Sequence, residues 1–170
     1  QHRRQSNADV VSDQGDAARL VKMRPTALHL AASGQLPLLA AQRTPSRPAI
    51  FAHDRWFSYA ELADAMLGFA AGLAEYKVGR GERVVIFLEK RVETVAASFG
   101  APAHGAVFGP ANPVLKAEQV GHILRDCNAR VLVTNSERLR SLMDVLPSCE
   151  HLRLVVLVED GGNSSMAPAN

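Results

Sequence analysis

Val84-Val85-Ile86-Phe87-Leu88 is an unbroken apolar run rich in β-branched side chains. A strand with one wet face alternates apolar and polar residues, whereas a continuous run suits a strand buried on both faces, as in a parallel sheet. Downstream, Val131-Leu132-Val133-Thr134 and Leu152 to Val158 repeat the pattern. A shorter strand, Ala106-Val107-Phe108, lies between the first run and Val131 and is expected to stop at Gly109-Pro110. Helical stretches separate these runs. Residues 91–103 carry Val92, Val95, Ala96 and Phe99 and end within Pro102 to Gly105, while residues 116–126 run through Val120, Ile123 and Leu124. A third helix, which Asn135 or Ser136 can cap, passes through Leu139, Leu142 and Leu146. The alternation predicts an α/β fold, a parallel-rich sheet flanked by helices on both faces, with four buried strands and three right-handed crossovers from residue 84 onward.

Working back from the run, Gly79 and Gly81 mark a turn. Before it, Leu62, Met66, Phe69 and Leu73 recur at spacings of 4, 3 and 4, one buried face of a helix that ends near Tyr76. Ser58-Tyr59-Ala60-Glu61 fits a capping box at its start. Ala49-Ile50-Phe51-Ala52 and Trp56-Phe57-Ser58 read as a hairpin turning at Asp54. A first helix, Leu36 to Ala41, is expected to begin near Pro37 and to break at Thr44-Pro45-Ser46-Arg47-Pro48. Residues 1–33 are polar without a period and read as a disordered leader. Asp9, Asp13 and Asp16 interrupt their basic residues, which argues against a transit peptide. Gln1 in place of Met implies processing or a cut from a longer chain. Residues 34–159 are then a partial amino-terminal α/β subdomain, and residues 160–170 a loop or frayed end.

Composition bounds the function. Of 170 residues, 47% are apolar, and 19 basic side chains face 17 acidic ones. That balance is ordinary for a globular chain and lacks the one-sided basic surplus of a nucleic-acid binder. No apolar run approaches a membrane span. Cys127 and Cys149 stand 22 apart with no CxxC or paired histidine, so reduced thiols in a cytoplasmic protein are expected.

The search for chemistry returns little. Gly79-Arg80-Gly81 follows a helix and precedes a strand, the reverse of a dinucleotide loop, so a plain turn is the better reading. There is no P-loop and no GxSxG elbow. The histidines His2, His29, His53, His104, His122 and His151 are scattered and read as structural rather than metal ligands, with His104 expected to touch a neighbouring element. Glu89-Lys90-Arg91 with Glu93 follows the first buried strand, where α/β folds place ligand contacts. A solvated helix start outweighs that functional reading. Asn112-Pro113, at the next strand exit, reads as a turn.

The order of these segments resembles a known family. Thr44-Pro45 with Pro48-Ala49-Ile50, then Phe57 to Leu62, Gly79 to Val84, Gly105 to Phe108 with Pro110, Asn112-Pro113 and Leu115, and finally Val131 to Thr134 are similar, over residues 45–135, to the opening of the adenylate-forming superfamily. That superfamily holds acyl-CoA synthetases, adenylation domains and luciferases. Lys90 to Thr94 and Leu115 to Val120 look most like bacterial acyl-CoA ligases of the exosortase-associated type. The resemblance implies the first part of a large amino-terminal domain. It also implies a reaction of a carboxylic acid with ATP and CoA to give acyl-CoA, AMP and pyrophosphate, with Mg²⁺ on the phosphates.

The family's phosphate loop, acidic adenine motif, ribose Asp and catalytic Lys lie later and have no counterpart here. No catalytic, cofactor-binding or metal residue is therefore assigned, and the chain is expected to be inactive alone and to self-associate through exposed apolar surface. The alternatives are a non-catalytic nucleotide- or protein-binding module and the start of a peptide-synthetase adenylation domain. Three positions depart from the family: Lys77 where glycine is usual, Gly109 where a β-branched residue extends the strand, and the small Ala111.

Overall fold

The computed structural model describes residues 28–159 and 164–168, and most of the expected leader, residues 1–27, lies outside them. The elements run α1 (Leu28–Arg43), β1 (Pro48–Ala52), β2 (Arg55–Ser58), α2 (Tyr59–Glu75), β3 (Arg83–Ile86), α3 (Val92–His104), β4 (Val107–Pro110), α4 (Ala117–Asp126), β5 (Ala129–Thr134), α5 (Ser136–Leu142), β6 (Leu154–Val158) and β7 (Ser164–Pro168). The main sheet has the order β4-β3-β5-β6-β7. β4, β3, β5 and β6 are parallel, and β7 joins β6 antiparallel.

The unbroken apolar runs fill both faces of this sheet. Val84, Ile86, Leu88, Val131, Val133, Leu154 and Val156 point into one core with Leu73 of α2 and Ala97 and Ala101 of α3. Val85, Phe87, Leu132 and Val155 point into the other with Val120 and Leu124 of α4 and Leu142 of α5. Each of these Val, Leu, Ile and Phe side chains, removed from water, contributes roughly 1.5–3 kcal/mol before chain entropy is counted. The result is three layers, with α1 lying outside α2 and α3.

Ser58 caps α2 as the sequence predicts. Its hydroxyl accepts from the Glu61 amide at 3.3 Å, and the Glu61 carboxylate accepts from the Ser58 amide at 2.8 Å. The two preceding orphan amides are also satisfied: Tyr59 donates to the Arg47 carbonyl and Ala60 to the Pro45 carbonyl, each at 3.0 Å. The Thr44 to Pro48 break is thus the lid on the α2 terminus. The hairpin turns at His53 and Asp54, whose φ angles of 50° and 57° are those of a type I′ turn.

Three expectations are corrected. α1 starts at Leu28, not near Pro37, and carries Pro37 inside it. The lost hydrogen bond is offset by packing, since Pro37 is buried and Gly34 lies so close to α3 that a Cβ there would sit 2.8 Å from the Ala103 nitrogen. β4 is not cut off after Phe108 but takes in Gly109 and Pro110 before it ends, and it is an exposed edge rather than a buried strand. Val107 donates to Glu82 and Ala111 to Ile86, so the alternate residue Pro110 turns its missing N–H away from β3 and breaks no ladder bond. Finally, residues 164–168 form β7 where a loop or frayed end was expected.

Candidate functional site

The strand order places a switch point between β3 and β5. β3 connects through α3 to β4 on one side, and β5 connects through α5 to β6 on the other. Open α/β sheets bind ligands in the crevice outside such carboxyl ends. Here the loops after β3, β4, β5 and β6 bring together Glu89, Arg91, Glu93, Asn112, Pro113, Asn135, Ser136, Arg138 and Glu159.

Arg138 organises this edge. α5 presents it because Asn135 caps the helix, accepting the Arg138 amide at 2.9 Å. Its guanidinium donates through Nε to Glu89 at 2.8 Å and through the other branch to the Pro113 carbonyl at 2.7 Å. It also lies 4.6 Å from the Phe87 ring centroid. One side chain thereby ties the β3 exit, the β4 exit and α5. Beside it, Arg91 pairs with Glu93 at 2.8 Å and reaches the Glu159 carbonyl, while the Glu159 carboxylate accepts from the Ser136 hydroxyl. Burial opposes ionisation of Glu89 and Glu93. It is outweighed by their own amides and by Arg138 and Arg91, so both carboxyls sit below the usual range. Thr134, fully buried, donates to the Phe87 carbonyl at 3.1 Å and locks β5 to β3 at the rim.

The charge cluster singled out in the sequence is therefore a tertiary brace, more tightly held than a solvated helix start. The turn at Asn112-Pro113 is as expected: the Asn112 side chain accepts from Val114 at 3.1 Å. The Gly79-Arg80-Gly81 turn lies at the opposite, amino edge of the sheet, where the Gly79 amide donates to Glu82 at 2.7 Å. His104 bonds the Val78 carbonyl at 2.7 Å, a structural contact across elements. His2 lies outside the described residues. Among the described residues, no group of three or more His, Cys, Asp or Glu side chains is placed to hold a metal ion. No helix among them is long and apolar enough to cross a membrane. Cys149 is buried, and burial raises the thiol pKa of the half-buried Cys127. Arg138 was not legible as a site residue, because Glu89 lies 49 positions away in the chain.

A protein-family profile described as AMP-binding enzyme matches residues 39–170. The medium/long-chain-fatty-acid--CoA/3-oxocholest-4-en-26-oate--CoA ligase of Mycobacterium tuberculosis is 26% identical over 124 residues, 73% of this chain and 23% of the ligase. Surfactin synthase subunit 2 of Bacillus subtilis is 25% identical over 158 residues, 93% of this chain and 4% of that protein. The chain thus spans about a quarter or less of the length of these relatives. Among solved structures, the anthranilate CoA ligase AuaEII in complex with anthranoyl-AMP superposes with a TM-score of 0.72 at 24% identity, over 77% of this chain and 25% of the ligase.

Proposed function

This chain belongs to the AMP-binding enzyme family, and from that premise we propose that residues 34–159 are the amino-terminal scaffold of an AMP-forming acid–thiol ligase of the acyl-CoA type. The parent reaction joins a carboxylic acid to CoA at the expense of ATP, with Mg²⁺ neutralising phosphate charge. The Lys90 to Thr94 and Leu115 to Val120 segments favour the bacterial, exosortase-associated group within the family.

One observation carries the scaffold reading. The arginines at the switch point are committed internally, Arg138 to Glu89 and Pro113, and Arg91 to Glu93 and Glu159. A nucleotide or Mg²⁺ site needs donors or carboxylates directed outward, and these residues do not fit that need. Their role is to hold four strand exits in register for chemistry carried elsewhere in the parent. ATP–pyrophosphate exchange on the pure 170-residue protein tests this. No exchange is expected with any carboxylic acid, and robust exchange would overturn the scaffold assignment.

A peptide-synthetase adenylation domain is the second reading, favoured by the longer match to surfactin synthase subunit 2. The two readings separate on the thiol acceptor of the parent enzyme. Release of free acyl-CoA supports the first, and transfer only to a carrier-domain thiol supports the second.

A further inference from the structure

Away from the sheet, a half-open groove of about 560 Å³ lies between α1, the turn after it and the start of α2, lined by Leu36, Leu39, Ala40, Arg43, Arg47 and Tyr59 among others. Exposed leucines scattered singly need no explanation. Here they are ordered. Leu36, Leu39 and Ala40, and Arg43 fall on one helical stripe, so the groove is apolar at one end and cationic about 10 Å further on. Leu36 is 63% and Leu39 44% exposed, well above what a packed helix face shows. At the cationic end the turn after α1 brings Arg47 beside Arg43. The turn is fixed there by the bonds from Tyr59 to Arg47 and from Ala60 to Pro45.

Neither guanidinium forms an ion pair among the described residues, in contrast to Arg55, Arg91, Arg130 and Arg138. The Ala40 carbonyl at the end of α1 accepts from the amide and hydroxyl of Thr44, and the two guanidinium charges outweigh the partial negative charge of the helix end.

We infer that this groove binds an amphiphilic anion, a medium-chain alkyl carboxylate, with its chain along Leu36, Leu39 and the Tyr59 ring and its carboxylate between Arg43 and Arg47. The volume is that of a small-molecule site. Two turns of helix are too short to seat the repeated anchors of a docked peptide helix. Planar guanidinium forks match a carboxylate in geometry as well as charge.

Equilibrium dialysis of the 170-residue protein against radiolabelled decanoate, below its micelle concentration, tests the inference. Uptake is expected to saturate at one molecule per chain and to be displaced by unlabelled decanoate about tenfold better than by decanol or inorganic phosphate. The double variant Arg43→Glu/Arg47→Glu, at two exposed positions and with its fold checked by circular dichroism, should lose decanoate binding and gain decylamine binding. Leu36→Ala/Leu39→Ala should weaken decanoate without changing the preference for an anion. The proposal is overturned by no uptake, by non-saturating uptake that ignores charge reversal, or by decanol competing as well as decanoate.

Discussion

Among the described residues, three helices end on a left-handed residue before a strand begins: Lys77 at φ 54°, Gly105 at 99° and Asn128 at 49°. After α2 the Val78 amide reaches back to Leu73 and the Lys77 amide to Ala74; after α3 Ala106 reaches Ala101 and Gly105 reaches Pro102. These are Schellman closures, which need a residue tolerant of positive φ. Glycine adopts it freely and asparagine readily, but lysine sets its Cβ against the carbonyl. Lys77→Gly is therefore expected to raise stability by about 0.5–1 kcal/mol, after the greater freedom of the unfolded chain is set against the relief. Asn128→Gly should change it by only a few tenths, and urea midpoints of the two variants check the contrast. Glu61 gives a pH signature at the same scale. The Ser58 amide, Arg55 and the Ser58 hydroxyl lower its pKa from 4.5 to about 2. A carboxyl depressed in the folded state stabilises above its unfolded pKa and loses that contribution as pH falls through the folded one. Glu61→Gln should destabilise at pH 7, with the difference from the parent sequence shrinking below about pH 4.5 and vanishing near pH 2 in denaturant titrations at each pH.

Between elements, glycines set how closely the helices cross. A Cβ at Gly100 of α3 would sit 2.7 Å from the Met66 carbonyl and 3.1 Å from the Phe69 ring, whereas a Cβ at Gly68 of α2 meets nothing within 4 Å. Helix propensity favours alanine at both by about 1 kcal/mol. At Gly100 the obstacle is backbone that cannot move aside, so overpacking wins. Gly100→Ala should destabilise by about 1–3 kcal/mol and Gly68→Ala should stabilise by about 1 kcal/mol, opposite signs that thermal melts of the two variants would show. What the sequence made legible here follows from range. The capping box, the α2 face and the buried runs β3, β5 and β6 are local patterns that burial enforces. α1 was misread because Pro37 is a strong local stop signal, while the compensation, Gly34 against Ala103, comes from α3, far along the chain. β7 was missed because Ser164 to Pro168 has no strand pattern, and pairing with β6 gives it one. The Arg138 brace was invisible for the same reason, since its partners Glu89 and Pro113 arrive from other strand exits.

At the scale of the molecule, the two edges of the sheet differ. One edge is the antiparallel strand β7, and the other is the parallel strand β4, which carries Val107 at 47% and Phe108 at 38% exposure. Across the outer layer, Phe51, Trp56 and Leu67 are each at least half exposed, and the Phe51 and Trp56 rings meet at a tilt with centroids 5.4 Å apart. A large exposed apolar surface drives association or is covered by more protein. Relatives about three times as long have the material to cover it. We therefore expect the isolated chain to self-associate with rising concentration in sedimentation velocity. The open edge will contribute little hydrogen bonding to that contact. With Val107 and Ala111 donating inward, only Phe108 offers an outward N–H, and Pro110 offers none. Two β4 edges laid antiparallel about Phe108 could exchange a single pair of bonds, too few to hold a sheet–sheet dimer against the entropy of association. The association should thus be apolar in character. Sulfate, which favours burial of apolar surface, should strengthen it, whereas a charge-driven contact would weaken with salt. Trp56→Lys and Phe108→Lys should each reduce it. A chain that stays monomeric at every concentration and unfolds sharply at high temperature would show that these residues need no cover.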